Sequence, residues 1–211
     1  SGLTNNEEFT YDGTSKTPTG TLTVTDDKVT VSELKVLYEG TDNSYNSTTA
    51  PVNAGSYKVT YKIADSNPDY SGSVSYNFTI KKVQLEKVTL VTDTIVYNGL
   101  GSFPAMDNYN DSLQELSGTL GATNVGDYTT TVALKDKNNY EWTGGTPGNL
   151  TLNWKIIQAT PTYELPTNLT GVKGDTLADV TLSGRFTWND ASTVLTAGTH
   201  TYKATYTPVD T

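Results

Sequence analysis

The chain has 211 residues, with 14 Lys and Arg against 23 Asp and Glu, a net charge of −9, and no Cys. A phosphate-backbone binder needs clustered basic side chains, so a single Arg (Arg185) and no basic run exclude nucleic acid as a partner. The absence of Cys excludes disulfides, and with His200 as the only His no structural zinc site can be assembled.

Hydrophobic residues make up 35% of the chain, with 14 Tyr and many Thr but one Met. β-Branched and aromatic side chains fit a pleated, half-buried surface, so the composition predicts an all-β fold. No apolar run approaches the roughly 20 residues of a membrane helix, so no membrane insertion is expected. The scattered acidic residues read as a solubility device for an extracellular chain. Asn46-Ser47-Thr48 and Asn168-Leu169-Thr170 match the glycosylation triplet, which is expected by chance in so Asn- and Thr-rich a chain.

In chain order, Ser1-Gly2 reads as a cloning scar, and Glu7-Glu8 would point to opposite faces of a strand. Tyr11-Asp12-Gly13 predicts a turn. Asn53-Ala54-Gly55 predicts a second turn, with Gly supplying a positive φ, that launches a strand over 56–64. There Tyr57, Val59, Tyr61 and Ile63 share one face, and Lys58, Thr60 and Lys62 the other. Asp65-Ser66-Asn67-Pro68-Asp69 reads as turn chemistry, because it lacks the loop spacing of a calcium site. A strand over 73–80 then turns Val74, Tyr76, Phe78 and Ile80 inward.

The pattern recurs. Tyr97-Asn98-Gly99 repeats the first turn, and the oxygen-rich 107–111 segment is again turn chemistry. Asn124-Val125-Gly126-Asp127-Tyr128 repeats Asn53-Ala54-Gly55-Ser56-Tyr57, and Asn138-Asn139-Tyr140 stands where Asn67-Pro68-Asp69-Tyr70 did. Leu150, Leu152, Trp154 and Ile156 form the inward face of a closing strand. A looser copy follows at Thr196-Ala197-Gly198-Thr199-His200-Thr201-Tyr202, so Gly55, Gly126 and Gly198 mark three copies at a nearly constant interval. That interval is the length of a small domain, and it divides the chain into repeats 1–82, 83–157 and 158–211 with almost no linkers. Each would bury about eight to ten large side chains, worth about 1.5–3 kcal/mol apiece. The first copy runs on from Gly55 to Lys82 and the second from Gly126 to Ile157. The third reaches Thr211 much sooner after Gly198, and so lacks a closing strand. The expectation is a monomer with an edge-strand contact at this repeat.

With Tyr-Asp-Gly-Thr early, Asn-Ala-Gly-x-Tyr in the middle and Asn-x-x-Tyr-x-Gly before the last strand, the first two copies resemble the mostly bacterial Ig-like repeats of MBG or YDG type. The third resembles a related Ig-like repeat of Gram-positive surface proteins, through Gly174–Val180, Phe186-Thr187-Trp188-Asn189-Asp190 and Thr205–Thr211. The resemblance implies tandem Ig-like β-sandwiches in an elongated array, within a secreted or wall-anchored, adhesin-like protein whose attachment lies outside these residues. Copy two departs from the pattern at Asn98 and in a longer 142–149 segment. The family supplies no catalytic residue.

Nor do the residues themselves. His200 has no Cys or Ser nucleophile elbow beside it, so no catalytic residue, metal or cofactor is expected and the chain is not expected to be an enzyme. Lysines fall on outward strand phases, which argues against an intramolecular Lys–Asn crosslink. Trp154 and Trp188 read as core. Trp142, in the Gly-rich stretch 142–148, is the candidate ligand-binding aromatic, able to stack on a host or cell-surface glycan or protein if exposed; a packed loop tip is its alternative. The leading expectation is a stalk or spacer, and the second a binding module.

Overall fold

The computed structural model describes residues 2–25, 28–145 and 148–209. Ser1, Thr146 and Pro147 of the Trp142 stretch, and Asp210-Thr211 of the last motif lie outside these residues. The fold is all-β. Among the described residues, helix is confined to two short 3-10 turns, Val31–Glu33 and Leu177–Asp179.

Packing groups the chain into two compact units. The first holds residues 1–93, 103–120 and 128–154; the second holds 94–102, 121–127 and 155–211.

The first unit opens with β1 (Glu7–Thr10), β2 (Leu34–Gly40), β3 (Asn46–Ser47), β4 (Gly55–Ile63) and β5 (Ser73–Lys81). They form one sheet in the order β1-β5-β4-β2-β3, antiparallel except that β1 runs parallel to β5. The period-2 alternation explains it: Tyr57, Val59, Tyr76, Phe78 and Ile80 are buried together with Tyr38. Tyr57 stacks on Phe78 at 5.5 Å, and Phe9 and Tyr38 meet the same ring edge-on. On the other face directly opposed pairs are complementary: Lys58 with Glu39 at 2.9 Å and Thr60 with Ser75 at 2.9 Å.

Further along stand β6 (Val83–Leu85), β7 (Thr89–Leu90), β8 (Thr94–Val96), β9 (Met106–Asp107), β10 (Gln114–Gly118), β11 (Gly126–Leu134), β12 (Tyr140–Trp142) and β13 (Leu150–Ile157). The larger sheet runs β10-β11-β13-β8, and here too the first strand, β8, is parallel to the last, β13. The sequence repeat is therefore a structural one, with β8, β10, β11 and β13 standing for β1, β2, β4 and β5. Trp154 is buried on β13, and its indole N–H donates to Thr130 Oγ1 at 3.1 Å.

Within the second unit, β14 (Phe186–Trp188) and β15 (Ala204–Tyr206) form an antiparallel pair. Leu177, Val180 and Leu195 make a small core against which Trp188 and Tyr202 pack. Tyr163, Phe186 and Tyr206 form an aromatic triangle with centroids 5.0–5.6 Å apart.

Candidate functional site

The exposure of Trp142 separates a stacking platform from a packed loop. Trp142 lies on β12, paired with Leu85 of the parallel β6, and is 0% exposed. The side chain packs with Val88, Val132 and Leu134, and its Nε1 donates to Gly148 O at 3.0 Å. The Gly148 carbonyl satisfies a buried indole. An exposed Trp142 is thus corrected to the packed alternative, and no indole face is left for a ligand.

The acidic loops place as turns. Asn67 Oδ1 accepts the Asp69 and Tyr70 N–H groups at 3.0 and 2.8 Å, and Asn110 Oδ1 accepts that of Ser112 at 2.9 Å. Glu7 and Glu8 do face apart: Glu7 holds Thr19, whereas Glu8 pairs with Lys81 at 2.6 Å. Lys137 Nζ donates to Asn149 Oδ1 at 3.1 Å on the exposed surface, outside any core. His200 is exposed and lies outside the strands, with Nε2 3.0 Å from Thr196 Oγ1 and 3.2 Å from Ala197 O.

The residue that joins distant parts of the first unit is one the sequence did not single out. Asn139 is 4% exposed. Its Oδ1 accepts the Ala54 N–H at 2.8 Å, and its Nδ2 donates to Asn53 Oδ1 at 3.1 Å and Asp136 Oδ2 at 2.7 Å. Its backbone carbonyl accepts the Val83 N–H at 2.9 Å. Beside it Tyr140 meets Tyr11 edge-to-face at 5.7 Å, and Lys82 Nζ donates to Lys137 O at 2.7 Å. The oxygen and the nitrogen of the amide are thus both engaged, between residues 53–54 on one side and Asp136 on the other. Asp136 makes this possible by accepting the Asn138 and Asn139 N–H groups, a turn that aims the Asn139 amide at Asn53-Ala54.

Next to this joint lies an open cleft of about 820 Å³ that includes Asp42, Tyr45, Asn53 and Asn138. Asp42 accepts the Ser56 N–H on both oxygens at 3.0 and 3.1 Å, and this backbone bond holds its carboxyl below the usual range. Among the described residues, no three His, Cys, Asp or Glu side chains stand together as metal ligands. No described helix is long and apolar enough to cross a membrane.

The family model of the MBG domain matches residues 3–84, the part of the chain built on β1 to β5. No curated protein matches the chain.

Proposed function

We propose that this chain is a non-catalytic, extracellular stretch of a bacterial surface protein, in which tandem Ig-like modules act as a stalk or spacer. The observation that carries the reading is the Asn139 joint. A spacer needs adjacent modules held at a fixed relation, and here a buried amide ties residues 53–54 to residues 136–139, far apart in sequence. A surface-protein context is supported by the MBG match over residues 3–84. The Ig-like reading is supported by the order β2-β4-β5, in which the last strand of the repeat lies beside the penultimate one, as in the three-stranded sheet of an Ig sandwich.

Small-angle scattering of the 211-residue chain in solution tests this reading. An elongated profile, with a maximum dimension near that of three small domains end to end, is the expected result. A compact profile removes the spacer reading.

A further inference from the structure

The third repeat carries a cleft that neither the repeat pattern nor a spacer role accounts for. It encloses about 500 Å³, within the size range of small-ligand sites, and lies wholly within the second unit. Its floor is the apolar cluster of Leu177, Val180 and Leu195, each 9% exposed or less. Trp188, Tyr202 and His200 stand around that floor. Trp188 and Tyr202 meet edge-to-face at 6.3 Å and 86°, and His200 tilts 41° against Tyr202 at 6.0 Å. The rings are fixed in advance: Trp188 Nε1 donates to Val180 O at 2.9 Å, and His200 Nε2 is bonded to the 196–197 turn. The threonines at 170, 196, 199 and 201 also line the cleft.

The chemistry of this lining selects its ligand. Among the described residues no Asp, Glu, Lys or Arg lines the cleft, so it offers no permanent charge to a phosphate, a carboxylate or a metal cation. An aromatic wall takes the C–H face of a ring, and hydroxyls and a ring nitrogen take polar groups at its edge. We propose that this cleft binds one or two rings of a neutral glycan, with Trp188 and Tyr202 as the stacking walls. Fixed rings lose little entropy on binding, which favours such a small ligand. The site goes beyond the spacer reading and does not depend on it; scattering decides that one, and ligand titration decides this one.

The three tryptophans give the experiment its readout. Trp142 and Trp154 are 0% and 2% exposed, whereas Trp188 is not buried, so acrylamide quenching of Trp emission reports the cleft. The whole chain is titrated with chitotriose, cellotriose and maltotriose. At least one is expected to protect Trp188 saturably by about 20 mM, a concentration that nearly fills a millimolar site. His200→Ala, at an exposed position, is expected to weaken that binding about fivefold, and an unchanged emission maximum and quenching of Trp188 without sugar confirm that the second unit, which holds both residues, is folded in the variant. Two results overturn the proposal: no protection by any of the three sugars, or protection that His200→Ala leaves unaltered.

Discussion

At the scale of single residues, the two buried tryptophans show how a polar atom is accommodated in a β core. Trp142 gives its N–H to Gly148 O and Trp154 gives its own to Thr130, so neither indole is left unsatisfied. Truncating Trp142 removes the largest fully buried side chain among the described residues and opens a cavity between Val88, Val132 and Leu134. Trp142→Ala should therefore lower unfolding free energy by about 3–5 kcal/mol in a urea titration. The carboxylates set the response to pH. Asp12 is held well below the usual range first by the Lys16 ammonium and then by Thr14. Glu33 and Asp179 are lowered by the N–H of the threonine three residues before each, and Asp190 by the Ser192 hydroxyl. A lowered folded pKa gives stability that is present above the unfolded value and lost as pH falls through the folded one. Burial raises the phenols of Tyr38 and Tyr57, which gives the opposite sign: stability present below about pH 10 and lost above it. The melting temperature should be level between these limits, fall on acidification below about pH 4, and fall again in alkali. A melting temperature that rises on acidification through the carboxylate range would contradict the assignment.

At the scale of elements, the alternation of large and small polar side chains was legible, and the pairing of strands was not. Tyr57 and Val59 on β4, and Tyr76, Phe78 and Ile80 on β5, face the core as their period-2 spacing predicts. The turn glycines are legible for the same local reason: Gly13 and Gly99 both adopt positive φ, 80° and 76°, after an Asp or Asn whose side chain caps the turn. The parallel strands β1 and β8 were not foreseen. Glu7 of β1 lies opposite Phe78, and Thr94 of β8 opposite Lys155, partners far along the chain, and parallel pairing leaves no hairpin signal. One element prediction follows from the end of β10. Gly118 has φ 86°, and a Cβ there would stand 2.8 Å from Thr129 O of the paired strand. Gly118→Ala should cost about 1–3 kcal/mol, whereas Gly144→Ala, at a similar φ with open space around it, should cost less. Equal losses in a thermal unfolding comparison would show that backbone strain alone, and not the strand contact, sets the cost.

At the scale of the whole molecule, the Asn139 joint has a consequence for cooperativity. Its amide binds Asn53, Ala54 and Asp136 at once, so residues 1–82 and the β12 region should unfold together. Asn139→Ala leaves the Ala54 N–H and the Asn53 amide without that partner, at a cost of about 1–3 kcal/mol. Calorimetry of this variant should show the main transition broaden or divide, and an unchanged single transition would mean that the joint does not couple the two segments. What the sequence determined by itself was the β class, the recurrence marked by Gly55, Gly126 and Gly198, and the inward faces of the strands. These rest on side-chain alternation and turn chemistry between neighbours in the chain. Only the tertiary structure decided that Trp142 is buried, that Asn139 is the pin and that Trp188, Tyr202 and His200 share one cleft. Trp142 packs with Val88, Asn139 bonds to residues 53–54, and Trp188 and Tyr202 pack on the Leu177 cluster, and contacts of that range have no periodic trace in the chain.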